Sequence, residues 1–144
     1  MPLYNTEFGK IWSDEVSNEL PQNVKDYVLL QYKNIKKKEI ENDRDKECTK
    51  DISALNHYFQ ADDISKELLS NHLVLVNLGA PMTNVWRSSD NINVEITDIS
   101  QLLEIAGAMS IQTNDAYLKS WVLKSQVDSA ISKEEIDLIK WDEE

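Results

Sequence analysis

The residues from Val85 to Ala108 constrain the fold of this chain more than any other stretch. Two short predicted strands, Val85–Arg87 and Ile92–Ile96, flank Ser88–Asn91, whose side chains can hydrogen-bond their own backbone and favour turns. The second of them alternates apolar and polar residues, as in a strand with one buried face. After Thr97–Asp98, which can cap a helix, the apolar spacing becomes helical. The stretch therefore predicts an antiparallel hairpin that leads into a helix.

Helical patterns surround this unit. A long helix is predicted from Val24 to about Lys46, with a narrow apolar stripe and many charged residues. A second helix is predicted from Ile64 to about Leu78, with Leu68 among its inner residues, and Gly79 is placed to end it. The helix after Thr97 is expected to bury Leu102, Leu103, Ile105, Ala106 and Met109.

The C-terminal part continues the helical periodicity as far as Ala130. Thr113–Asp115 either interrupt this helix or lie within it. Ser132 and Glu135 fit a capping box, which predicts a last short helix. Trp141 is expected to pack against the domain. The predicted fold is α+β and mostly helical, with a small antiparallel β-hairpin packed against a long C-terminal helix.

Composition narrows the classes of function. The net charge is −11, with most of the acidic excess after residue 50, and this opposes binding to nucleic acid, which requires a basic surface. No apolar run approaches the roughly 20 residues that span a bilayer, so no membrane insertion is expected. A single cysteine, Cys48, cannot form an internal disulfide, which favours a cytoplasmic location.

The residues that commonly carry chemistry are poorly placed for it. His57 and His72 lack metal-ligand spacing, and Cys48 looks exposed and without a neighbouring base. Asp62 and Asp63 precede a predicted helix, where capping is the usual role. With three glycines in the chain, most phosphate-binding loops are excluded. We therefore expect no enzyme activity, no metal and no cofactor.

The region from about Lys46 to Trp141 resembles a known domain family. The shared motifs are Trp86, Ser88, Asp90–Asn91, Leu123–Lys124 and the aromatic and acidic element Tyr58–Ser65. In this order they are similar to a domain family of unknown function that occurs in tailed-phage tail and tail-fibre assembly proteins. The resemblance implies a phage setting and supplies no catalytic residues. It divides the chain into residues 1–45, an aromatic arm with a long charged helix, and residues 46–144, a phage-tail-type α+β domain.

These observations lead to an expected function. The main hypothesis is a non-enzymatic assembly chaperone that binds a phage tail-fibre or tail subunit in the host cytoplasm. The alternative is a structural adaptor that stays in the virion tail or baseplate, and a third reading is an acidic inhibitor or DNA mimic. Self-association through the N-terminal helix is also considered. The residues expected to bind a partner are Tyr4, Phe8, Trp12, Tyr27 and Ile35.

Overall fold

The structure is a computed structural model, and it is described for residues 21–142. These residues form four helices and four strands: α1 (Gln22–Cys48), β1 (Ile52–Ala54), β2 (His57–Phe59), α2 (Asp63–Asn77), β3 (Val85–Arg87), β4 (Asn93–Glu95), α3 (Ile99–Ser129) and α4 (Lys133–Asp137). The strands pair as two antiparallel hairpins, β1–β2 and β3–β4. The predicted α+β, mostly helical class is confirmed.

The chain divides into two compact units. Unit 1 contains the described residues up to Glu41 and from Trp121 onwards, and unit 2 contains Asn42–Ser120. Both α1 and α3 contribute residues to each unit. The domain boundary expected between residues 45 and 46 stays a prediction.

The β3–β4 hairpin of unit 2 forms where the sequence predicts it. Trp86 pairs with Val94, and the Ser88 N–H donates to the Ile92 carbonyl over 2.8 Å, which closes the turn. Trp86 and Val94 are partly buried against the core cluster of unit 2, to which α3 contributes. One detail of the predicted buried face is wrong, because Ile92 is 46% exposed whereas Ile96 is buried. Burial on this face is therefore concentrated at the end of the hairpin next to α3.

The β1–β2 hairpin was not predicted from the sequence. Leu55 and Asn56 both have positive φ angles, 53° and 62°, as in the type I′ turns that form two-residue hairpin loops. The Leu55 N–H donates to a carboxylate oxygen of Glu104 on α3 over 3.0 Å. The side chain of Phe59 is fully buried in the unit 2 core, and that of neighbouring Tyr58 is 64% exposed.

Helix α2 begins and ends on local signals. The Asp62 carboxylate accepts a hydrogen bond from the Ser65 N–H over 2.7 Å, an N-cap bond. At the other end Gly79 has a φ of 100°, and the N–H of Ala80 reaches the Leu75 carbonyl over 2.9 Å, which is a Schellman motif. The helix buries Leu69, and the expectation that Leu68 faces inward is wrong because it is 59% exposed.

Helix α3 is continuous through Thr113–Asp115, so the uninterrupted alternative holds. Leu102, Ile105 and Met109 are buried in the unit 2 core as expected. Leu103 was also expected to be buried, and it is 54% exposed. Adjacent residues on a helix point about 100° apart, so Leu102 and Leu103 do not share one face.

Unit 1 has its own small core. Val24, Val28 and Tyr32 of α1 cluster with Ala130 and Ile136. Two ion pairs join α1 to the C-terminal part of α3, with Lys124 Nζ 2.7 Å from a carboxylate oxygen of Glu41 and Lys37 paired with Asp128. The predicted burial of Trp141 is confirmed.

Replacement of Phe59 by alanine tests the unit 2 core. We expect Phe59→Ala to lower the free energy of unfolding by about 3–5 kcal/mol, because it leaves a cavity among fully buried side chains. Tyr58→Ala, at the exposed neighbouring position, should cost less than about 1 kcal/mol. Urea unfolding followed by circular dichroism measures both values. Equal losses for the two variants would contradict the described core.

Candidate functional site

Two of the five residues expected to bind a partner lie within the described part of the chain. Tyr27 is 39% exposed on α1, and Ile35 is partly buried on the same helix. Tyr4, Phe8 and Trp12 lie outside the described residues. Their part in binding, and self-association through α1, stay predictions.

The short helix α4 is held firmly at its start. The Ser132 hydroxyl accepts a hydrogen bond from the Glu135 N–H over 3.2 Å, and the Glu135 carboxylate accepts one from the Ile131 N–H over 2.7 Å. The predicted capping box is therefore present, with Glu135 reaching one residue further back than in the usual form. The backbone around Ile131 has a defined conformation as a result.

Two apolar side chains project from the ends of this helix. Ile131 precedes the N-cap and is 80% exposed, and Leu138 at the C-cap is 81% exposed. A residue at the position of Ile131 commonly packs against the fourth helical residue, here Ile136. Ile136 is instead fully buried without it. We call Ile131 and Leu138 the α4 surface, a pair of apolar groups that folding leaves in water.

A polar contact fixes α4 from its other side. The Tyr32 hydroxyl donates a hydrogen bond to the Asp137 carboxylate, and Lys133 Nζ lies 3.2 Å from the second oxygen of that carboxylate. Lys133 Nζ also lies 5.7 Å from the centroid of the Tyr32 ring. Partial burial acts to raise the pKa of Asp137, but the hydrogen bonds from Tyr32 and Lys133 outweigh it and hold that pKa below its ordinary value.

The partner-binding residues expected from the sequence do not include several exposed apolar residues of unit 1. Leu30 is 54% exposed and follows Tyr27 by three residues, a spacing that places both on one face of α1. The spacing of Tyr27 and Leu30 can be read from the sequence. The exposure of Ile131 cannot be predicted from it, because the capping pattern around Ser132 favours burial of Ile131.

Unit 2 contains a polar recess of about 370 Å³ beside the two hairpins, lined by Asp51, Asn56, His57, Tyr58, Ser89 and Asp90. The Ser89 hydroxyl is the one buried side-chain polar atom in residues 21–142 without a hydrogen-bond partner. Neither a histidine nor a carboxylate activates it. The Asp90 carboxylate is engaged by the Ser88 hydroxyl. The recess can hydrogen-bond a polar group, but it shows no base paired with a nucleophile.

The remaining candidate groups have structural surroundings. His72 accepts a hydrogen bond from the Thr83 N–H through Nε2 over 3.1 Å, and its ring lies 6.3 Å from that of Trp86. Cys48 is buried, so the expectation of an exposed thiol is wrong. Within residues 21–142, no group of three histidine, cysteine or acidic side chains is arranged to hold a metal ion. None of the described helices combines the length and apolar character needed to cross a membrane.

Comparison with known protein families assigns the chain to one of them. Residues 31–140, more than half of its length, match the family described as Domain of unknown function (DUF4376). The chain belongs to this family. A domain family of unknown function was expected over about Lys46 to Trp141; a match to a family so described is confirmed, it begins earlier on α1, and the link to phage tails stays a prediction. No curated protein and no solved structure matches the chain.

The DUF4376 domain includes the α4 surface. Ile131 and Leu138 lie within residues 31–140, whereas Tyr27 and Leu30 precede them. The cap at Ser132 and the Asp137 carboxylate also lie inside the domain. The features that hold the α4 surface in place therefore belong to the matched region, apart from residues of α1 before residue 31.

The Asp137 contact predicts a pH-dependent contribution to stability. Because its pKa is lowered in the folded state, Asp137 stabilises the fold above its unfolded pKa, and this is lost as pH falls through the folded pKa. We expect Asp137→Asn to be less stable than the wild type near neutral pH, by a modest amount given its exposure, and the difference to shrink below about pH 4.

Urea unfolding at several pH values measures this difference. Asp142→Asn, which alters another exposed carboxylate of unit 1, is the control and should change stability little. A difference between Asp137→Asn and the wild type that is constant from neutral to acid pH would contradict the role of the carboxylate charge.

Proposed function

We propose that this DUF4376 protein is a non-enzymatic chaperone for the assembly of a phage tail fibre or another tail subunit. The phage setting is supported by the motifs around Trp86 and Asp90–Asn91, which are similar to those of tail and tail-fibre assembly proteins. The binding role is supported by the α4 surface, and this observation carries the proposal. Binding would take place in the host cytoplasm during assembly.

The α4 surface is suited to binding because it is both apolar and ordered. Burial of an exposed isoleucine or leucine contributes about 1.5–3 kcal/mol, so covering Ile131 and Leu138 supplies a useful share of a binding energy. Binding normally costs the ordering of loops and side chains. Here the bonds made by Glu135 and Asp137 already order the backbone on which the two side chains stand.

The charge of the chain fits a chaperone role. An acidic protein of net charge −11 stays soluble while it presents apolar side chains, because like charges oppose unspecific association. An apolar segment of an unassembled fibre subunit can then be covered without drawing further copies into an aggregate. The predicted anchors Tyr4, Phe8 and Trp12 extend this binding role to the N-terminal residues.

A double substitution tests the α4 surface. We expect Ile131→Ser with Leu138→Ser to weaken binding to the tail-fibre subunit at least about tenfold, which corresponds to 1.4 kcal/mol. Ile111→Ser is the matched control, since Ile111 is a 63% exposed isoleucine on α3 in unit 2. Co-expression followed by calorimetry of the purified pair gives the affinities. Unchanged binding by the double variant would refute the α4 surface as the binding site.

The chaperone role itself is tested in phage particles. Quantitative mass spectrometry of infected-cell lysate and of purified particles should find the protein abundant in the lysate and absent from the particles. A fixed copy number per particle would refute the chaperone role and support the structural adaptor, which would use the same surfaces for permanent contacts.

A further inference from the structure

The outer face of α2 carries an apolar stripe that the fold does not use. Ile64, Leu68, Leu75 and Leu78 are 70%, 59%, 54% and 78% exposed. Their spacings of four, seven and three residues place them on one face, with the exposed Asn71 at the vacant position between Leu68 and Leu75. We call these four apolar residues the α2 seam.

The opposite side of α2 already holds the helix to unit 2. Leu69 is fully buried in the core cluster, and Leu73 packs against that cluster. His72 adds the hydrogen bond from Thr83. The centre of the α2 seam lies more than a third of a turn away from Leu69 and Leu73, so its four side chains contribute little to holding α2 in place.

Three of the four seam residues lie in an uncharged part of a strongly charged chain. No Asp, Glu, Lys or Arg occurs from Leu68 to Trp86, although the chain has a net charge of −11. The exposed charges of α2 are confined to its beginning, at Asp63 and Glu67. Lys66 is directed elsewhere, with Nζ 2.7 Å from the Cys48 carbonyl. Two copies can therefore approach along the C-terminal half of α2 without bringing like charges together.

The spacing of the seam is nearly symmetric about Asn71. Ile64 and Leu78 lie seven residues to either side, and Leu68 and Leu75 lie three and four residues away. An antiparallel second copy would place Ile64 beside Leu78 and Leu68 beside Leu75, and the two Asn71 amides would meet at the axis, where they can hydrogen-bond.

Pairing in the parallel direction would be less favourable. Glu67 of one copy would then face Glu67 of the other, and like charges on facing helices are destabilising. In the antiparallel direction each Glu67 faces the uncharged end of the other helix. The charge distribution thus selects one direction.

We infer that the α2 seam binds the α2 seam of a second copy of this chain, with the two helices antiparallel about a two-fold axis at Asn71. The self-complementary spacing identifies the occupant, because a surface that matches itself forms the isologous contact of a two-fold dimer. With 15 residues, α2 is about 22 Å long, so the interface is small and the dimer is in exchange with monomer. The inference is independent of the proposed function, since it uses no residue of the α4 surface.

Sedimentation equilibrium of the full chain, from micromolar to millimolar concentration, tests the dimer. We expect the wild type to approach twice its monomer mass and Leu75→Glu to remain monomeric. Leu103→Glu is the matched control, a leucine on a helix of the same unit with the same 54% exposure, and it should dimerise like the wild type. Because salt screens repulsion between acidic copies, the wild-type dimer should strengthen as ionic strength rises.

A charge pair tests the direction. Leu68→Lys and Leu75→Glu in one chain would bring opposite charges together twice in the antiparallel dimer, so this double variant should dimerise more strongly than Leu75→Glu alone. Circular dichroism shows whether each variant is folded, and Leu75→Ser replaces Leu75→Glu if the latter is not. A wild type that stays monomeric throughout, or equal weakening by Leu103→Glu, would overturn the dimer. A double variant no better than Leu75→Glu would overturn the antiparallel arrangement.

Discussion

Burial of apolar side chains around Phe59, Leu102 and Ile105 is the interaction on which unit 2 depends. Each of its four strands has three residues, and an isolated two-stranded hairpin of that size is at best marginally stable in water. Both hairpins contribute to the same buried cluster, through Phe59 from β1–β2 and through the partly buried Trp86 from β3–β4. Burial against α3 therefore supplies stability that the strand pairing lacks. Because α3 is long and continuous, it presents these residues at fixed helical positions.

Local signals were sufficient for the elements that begin and end on side-chain bonds or glycine. The cap at Asp62, the Schellman motif at Gly79 and the turn of Ser88–Asn91 each satisfy backbone groups within a few residues, so the sequence displays them directly. The β1–β2 hairpin was missed because its turn is Leu55–Asn56, without the glycine that usually marks such a turn. Leu68 and Leu103 were misplaced for another reason. Each is next to a buried leucine in sequence, and residue type alone does not show which of two adjacent leucines faces inward.

The α4 surface shows what local patterns leave out. Its cap is readable at Ser132, but its position depends on the contact of Tyr32 with Asp137, which are 105 residues apart in sequence. The exposure of Ile131 follows from the burial of Ile136 in a core to which α1 contributes. The capping pattern around Ser132, taken alone, predicts that Ile131 is buried. The candidate site is thus an outcome of long-range packing, and only its helix could be predicted.

The α4 surface and the α2 seam have different consequences for binding, because the charged residues around them are arranged differently. Charged side chains of both signs accompany the α4 surface, with the acidic ones in a small excess (Glu134, Glu135 and Asp137 against Lys133 and Lys140), which weakly disfavours contact between two copies there. At the α2 seam the charges lie at one end of the helix, so two copies avoid like-charge contacts when they meet in the antiparallel direction. A dimer formed through it would carry two α4 surfaces. Under the proposed function, if both engage one multi-subunit partner, the second contact is intramolecular and the overall affinity rises without any new interaction at either surface.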